Sequence, residues 1–279
     1  MRTCLCLLLA LIFATPVHAQ NSDIQLIKKL PPELNWVLFD TRATKQCLAR
    51  SLKGARCLAA KDILSPRRHF PSLRDITWLL GSFGLTGEET VIVAGNPGLE
   101  KDFVAGMFYL AGQKKVLLLN SPLGRLIASP KHESSPGRAR AMSRETIYTA
   151  HPRAKQIIMR QELWDLINSD KPLRLLDARS EAEYWGQQIR GWRGGHIPGA
   201  ELWDKTQAQV NIPTKLAVET VFYAHDPFET IARFAQIQSR AEKTIRVFIE
   251  GWRSWSINGS LTADAESFYD STRQLKAQN

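Results

Sequence analysis

The chain has 279 residues, 44% of them hydrophobic and 23% charged, with a formal net charge of +10. That length exceeds what one small core organises and suits two domains, and the composition excludes a largely disordered or fibrous chain. The positive balance forms no aromatic-interleaved basic stripe, so it reads as solubility and weak attraction to anionic surfaces, and no nucleic acid is expected as a partner.

Arg2 is followed by an almost unbroken apolar run from Cys4 to Ala14 and then by Pro16-Val17-His18-Ala19. Charge, apolar stretch and small-residue exit, in that order, predict a secretory signal peptide over residues 1–20. The run is short for a permanent span, and no later stretch is long and apolar enough to cross a bilayer. The expectation is therefore a periplasmic or secreted protein with no integral membrane span after cleavage. Cys4 and Cys6 leave with the leader, and Cys47 and Cys57 remain. An even pair in an oxidising compartment favours a disulfide.

Trp36–Asp40, WVLFD, reads as a buried strand ending in an acid. VIVAG at Val91–Gly95 and VLLLN at Val116–Asn120 are two more, with a helix from Phe103 to Ala111 between them. Strand, helix, strand in close succession implies a parallel sheet with helices on its faces. Ser129 to Met142 is rich in Pro, Ser, Gly and Arg without periodicity, which predicts a linker over residues 129–150. The pattern then restarts. Gln161–Asn168 is a short helix, Leu173–Asp177 and Thr220–Ala224 are strands, Ile231–Ala241 is a helix and Ile245–Ile249 a strand. Two α/β domains follow, over residues 21–128 and 151–279, each a mainly parallel sheet flanked by helices.

The second half holds the most specific motif. Asp177 to Ala200 reads DARSEAEYWGQQIRGWRGGHIPGA, and Glu250–Trp255 reads EGWRSW. The first resembles the opening of a rhodanese (sulfurtransferase) domain, where a strand ends in Asp-x-Arg and Gly-His-Ile-Pro-Gly-Ala leads into the next strand. The second resembles the Gly-Gly-Trp-x-x-Trp near the end of such domains. The first half is similar more weakly, through Asp40-Thr41-Arg42 and Gly54-Ala55. Asp177 with Arg179 suits an ion pair pinning the strand end, Gly199 a tight turn, His196 a structural hydrogen bond, and Trp252 the closing motif.

The resemblance also locates the reaction loop, in which a cysteine ends the central strand and loop amides with a helix N-terminus hold its persulfide. In the second domain that loop is Ala224, His225, Asp226, Pro227, Phe228 and Glu229, with Ala224 at the cysteine position and Glu229 at that of an arginine. In the first it is Gly95, Asn96, Pro97, Gly98, Leu99 and Glu100. Neither holds a cysteine. Asp226, Glu229 and Glu183 would bring three carboxylates to the mouth, which opposes an anionic sulfur donor. The resemblance therefore implies a catalytically inactive binding or accessory module of periplasmic sulfur or redox metabolism, with an unidentified protein partner or small ligand. The alternative is an atypical sulfurtransferase using thiosulfate or mercaptopyruvate. An acid–base or metal role for His225 with Asp226 or Glu229 is weakly supported, because adjacent His and Asp space metal ligands poorly; neither metal nor cofactor is expected. Trp185, Trp192 and Trp203 suit a partner surface or half-buried packing.

Overall fold

A computed structural model describes residues 23–32, 35–64, 70–203, 219–240, 245–261 and 263–264. The expected signal peptide, with Cys4 and Cys6, lies outside the described residues.

The first sheet is built from β1 (Ile24–Ile27), β2 (Trp36–Asp40), β4 (Arg56–Cys57), β5 (Thr90–Ala94) and β6 (Lys115–Leu119), in the order β1-β6-β5-β2-β4. Helix α1 (Thr44–Ala49) and the short β3 (Ser51–Leu52) lie between β2 and β4. Helices α2 (Leu73–Ser82), α3 (Leu99–Leu110) and α4 (Leu123–Ala128) complete this unit, followed by β7 (Ser134–Ser135). The second sheet contains β8 (Ile157–Ile158), β9 (Leu173–Asp177), β10 (Ala200–Leu202), β11 (Glu219–Tyr223) and β12 (Arg246–Phe248). Its order is β8-β12-β11-β9-β10, and its helices are α5 (Arg160–Ile167), α6 (Glu181–Tyr184), α7 (Pro227–Gln238) and α8 (Gly251–Ile257).

Every pairing within the two five-stranded sheets is parallel, and the orders coincide position by position. The expected α/β class with two parallel, helix-flanked sheets is thus what the chain adopts. The central strands TVIVA and ETVFY are buried along most of their length, as strands covered on both faces must be.

The two units meet through α3 and α7. Residues Lys101 to Leu110 of α3 are all buried, because one flank lies on the first sheet and the other on α7. At the crossing the backbones nearly touch: a Cβ on Gly106 would stand 2.6 Å from Ile231 Cγ2 and 2.7 Å from the Ile231 carbonyl oxygen. Phe103 packs on Phe228 and Tyr109 on Phe234, with ring centroids 5.3 and 5.9 Å apart. One apolar core therefore runs through both units, from Phe39, Val91 and Phe108 to Phe222, Ile231 and Val247.

Residues 129–150, expected as a linker, are laid along the first unit. β7 pairs antiparallel with β3. Cys57 N–H donates to the Arg138 carbonyl and Arg138 N–H to that of Ala55, each at 2.8 Å. Tyr148 is buried, and Thr149 N–H donates to the Thr86 carbonyl at 2.8 Å. The composition signalled exposed, irregular chain, but these peptide groups find partners on the first unit, which fixes their path without regular periodicity. Cys47 and Cys57 form the expected disulfide, Cα–Cα 5.7 Å, tying α1 to β4. Among the described residues no helix is long and apolar enough to cross a membrane.

Candidate functional site

The residue following each central strand is fixed by register. Asp40 lies opposite Ala94 and Asp177 opposite Tyr223. Thr41 N–H then donates to the Ala94 carbonyl and Ala178 N–H to the Tyr223 carbonyl, both at 2.9 Å. Gly95 and Ala224 come next and occupy equivalent places.

The loop after β11 is shorter than the six positions expected. It contains Ala224, His225 and Asp226, and Pro227, Phe228 and Glu229 already form the first turn of α7. Two residues set that early start. Proline is tolerated at the first helical position, where no amide donor is needed. Asp226 caps the helix, its side chain accepting from Glu229 N–H at 2.9 Å. The loop backbone is held from both sides. Ala224 N–H donates to Thr230 Oγ1 at 3.1 Å. The Ala224 and His225 carbonyls accept from Trp252 N–H and Arg253 N–H of α8, each at 2.8 Å. Gly251 permits this approach: its φ is +65°, and a Cβ there would lie 2.7 Å from the Ala224 oxygen. Ala224 itself is 0% exposed and belongs to the main core.

The three carboxylates do not stand as unbalanced charge at the mouth. Arg190 Nε donates to Glu183 Oε1 at 2.7 Å, and its Nη1 and Nη2 donate to the two Glu229 oxygens at 2.5 and 2.9 Å. Burial pushes Glu183 and Glu229 up, but the hydrogen bonds from Arg190 prevail and hold both below the ordinary carboxylate value. The fork clamps α6 to the N-terminus of α7 and covers the loop with an ion cluster, while Asp226 serves as cap. Sequence reasoning missed Arg190, since its partner Glu229 lies 39 residues away and no spacing rule joins them.

His225 is buried, and its Nδ1 accepts or donates no hydrogen bond, with Glu183 Oε1 3.7 Å away. Burial, seconded by the Arg190 charge, lowers its pKa from 6.5, against the pull of Glu229, Asp226 and Glu183. A ring held neutral in the fold contributes stability above the unfolded value of 6.5, and that contribution is lost as pH falls through the depressed folded value. Melting temperature is therefore expected to drop from pH 7 to pH 5, above the range in which the carboxylates titrate. His225→Gln should flatten that drop; an unchanged profile would remove His225 from the account.

In the first unit the loop is Gly95, Asn96, Pro97 and Gly98, and Leu99 and Glu100 open α3. Gly98, φ +148°, makes the turn into the helix. A Cβ at Gly95 would stand 2.1 Å from Thr41 Oγ1, a hydroxyl that donates to the Ala94 carbonyl at 3.1 Å. No side chain fits at position 95 while Thr41 stays. Ala178 takes the place of Thr41 in the second unit, where the equivalent residue is alanine.

The remaining motif residues frame the second sheet. Asp177 accepts from Arg179 N–H at 2.9 Å, from Arg179 Nη2 at 2.6 Å and from the Tyr223 hydroxyl at 2.6 Å. Arg179 also donates to the Gly195 carbonyl at 2.7 Å and lies 4.4 Å over the Trp252 ring. His196 Nδ1 meets the Tyr184 carbonyl at 3.0 Å, its ring stacked on Tyr184, and burial lowers its pKa. Gly199, φ +75°, turns the chain into β10. Trp185 and Trp203 are half-buried, whereas Trp192 is 72% and Ile189 60% exposed, on either side of Arg190.

Residues 159–258 match the family of rhodanese-like domains. No curated protein matches the chain by sequence. Among solved structures, a variant of EanB in complex with ergothioneine is 16% identical, with a TM-score of 0.71 over 91% of this chain and 72% of that one. YnjE is 18% identical, with a TM-score of 0.66 over 84% of this chain and 63% of its own. The anaerobic ergothioneine biosynthesis enzyme from Chlorobium limicola, in complex with trimethyl histidine, is 16% identical, with a TM-score of 0.66 over 85% and 66% of the two chains. The chain thus spans 63% of the length of YnjE and 72% of that of the EanB variant, and the likeness is one of fold. Taken with the strand order and the Asp177 anchor, residues 159–258 form a rhodanese-like domain, and the first sheet repeats its plan.

Proposed function

We propose that the chain is an exported rhodanese-like protein without sulfurtransferase activity, working as a binding or accessory module in periplasmic sulfur or redox metabolism. The observation that supports this most is the chemistry at the two positions after the central strands. Ala224 has no nucleophile and is sealed in the core, and Gly95 has no room for a side chain. Sulfur transfer by the family route needs a thiolate there, accessible to donor and acceptor. The two cysteines among the described residues are spent on one disulfide. That disulfide and the apolar leader support an oxidising compartment. Trp192 and Ile189, exposed on either side of Arg190, supply aromatic and aliphatic surface of the kind that protein interfaces bury.

A second reading, an atypical sulfurtransferase, draws on the fold likeness alone. The test is thiocyanate formation from thiosulfate or mercaptopyruvate with cyanide as acceptor. The expected result is no turnover above background for the wild type. Turnover that disappears in Cys57→Ser would overturn the proposal in favour of the enzyme.

A further inference from the structure

Helix α2 carries Arg74, Thr77 and Trp78 at positions i, i+3 and i+4, which share one face of a helix. The segment after β7 is tied along the end of that helix. Ala141 N–H donates to the Ser82 carbonyl at 3.1 Å, and the Glu145 and Thr146 N–H groups donate to the Gly81 carbonyl at 3.1 and 3.2 Å. Gly81 admits the segment this closely, since a Cβ there would stand 2.6 Å from the Thr146 oxygen and 3.5 Å from Arg144 Cδ. Arg144 and Tyr148 are thereby brought beside α2, and with Arg74, Thr77 and Trp78 they line an open cavity of about 280 Å³. None of these five residues belongs to the loops after the central strands.

The charge of this wall is uncompensated. Arg74 and Arg144 line it, and among the described residues no carboxylate does. Neither guanidinium has a hydrogen bond, an ion pair or a ring contact among the described residues. The neighbouring acids are engaged elsewhere: Asp75 accepts from the Ser72 hydroxyl at 2.7 Å, and Glu145 is held by Arg138 at 2.9 Å. Tyr148 adds no negative charge, because burial pushes its pKa up and its hydroxyl donates to Gln113 Oε1 at 3.3 Å. Two like charges at one cavity, each with a full set of N–H donors unspent, favour an anionic occupant. A guanidinium fork matches the two oxygens of a carboxylate. Trp78 sets the rest of the ligand. It is 42% exposed, and an open indole face takes a flat apolar group by stacking.

We infer that this cavity binds a small aromatic acid, its carboxylate taken by Arg74 and Arg144 and its ring laid against Trp78. The volume lies just below the roughly 300–1,000 Å³ of pockets for drug-sized ligands, which limits the occupant to a single ring bearing an acid group.

Isothermal titration of the full chain with sodium benzoate, sodium acetate and benzamide, at constant ionic strength in chloride, tests this. Saturable binding of one benzoate per chain is expected. Acetate, which lacks the ring, and benzamide, which lacks the charge, should each bind about fivefold more weakly, the scale of one ring stack or one exposed ion pair. Arg74→Gln and Arg144→Gln should each weaken benzoate by a similar factor, and Trp78→Ala should remove its advantage over acetate. The exposed Lys171→Gln of the second unit should change nothing. Arg74, Trp78 and Arg144 are all exposed, so these variants keep the fold and an unaltered melting temperature checks it. Absence of saturable benzoate binding, benzamide or acetate bound as tightly as benzoate, or both arginine variants at wild-type affinity would sink the inference.

Discussion

Asp177→Ala is expected to destabilise the protein by about 3–5 kcal/mol, the usual cost of removing one partner from a buried ion pair. Asp177 is 0% exposed and is the common acceptor for Arg179 and the Tyr223 hydroxyl. Its removal leaves a guanidinium and a phenol facing an empty acceptor site. The damage spreads because Arg179 also holds the Gly195 carbonyl and stacks on Trp252, and Tyr223 accepts from Ile197 N–H at 3.2 Å. Urea denaturation measures the loss. The double variant Asp177→Ala, Arg179→Met should be more stable than the single one, since it removes the stranded charge. A loss below about 1 kcal/mol in the single variant, the range of an exposed pair, would show that the Asp177 network does not hold the strand end. The equivalent Asp40→Ala should cost less, because Arg42 there is partly exposed.

Opening the Cys47–Cys57 disulfide comes second, at about 2–3 kcal/mol from the loop-closure entropy returned to the unfolded chain. Its local effect should be distinctive. Gly137 is packed against the bridge so closely that a Cβ would stand 2.5 and 2.6 Å from the two sulfurs, and its N–H donates to the Cys47 carbonyl at 2.9 Å. Two reduced thiols need more room than the bridge, so Gly137 and Arg138 should be displaced. Hydrogen exchange at their amides is expected to accelerate in the reduced protein while α7 stays protected. Equal melting temperatures before and after reduction would refute this account.

The legible part of the fold was written in continuous apolar runs. WVLFD, LRLLD and the cores of VIVAG and IRVFI fall on strands because a parallel strand covered on both faces is mostly apolar, with arginines only at the less buried starts, Arg174 and Arg246. β1, Ile24–Ile27, has only four residues and its apolar signal merges with the leader, and strands of two residues such as β4 and β8 are too short to show any period. The apolar periodicity marks α3 only from Phe103 and α7 only from Ile231, whereas the helices start at Leu99 and Pro227, after Gly98 and the cap Asp226. The site was legible at Asp177, Arg179 and Gly199, where local geometry dictates the residue. It was illegible at Arg190 and Thr41, whose roles depend on partners far along the chain.

The near contact of backbones at Gly106 and Ile231 has a consequence for how the protein comes apart. From Phe103 to Leu110, FVAGMFYL, helix α3 has no charged residue to offer water, so a fragment ending in the segment before β8 would expose an apolar cylinder and aggregate. Calorimetry should accordingly record a single endotherm, both halves melting together despite their duplicated architecture.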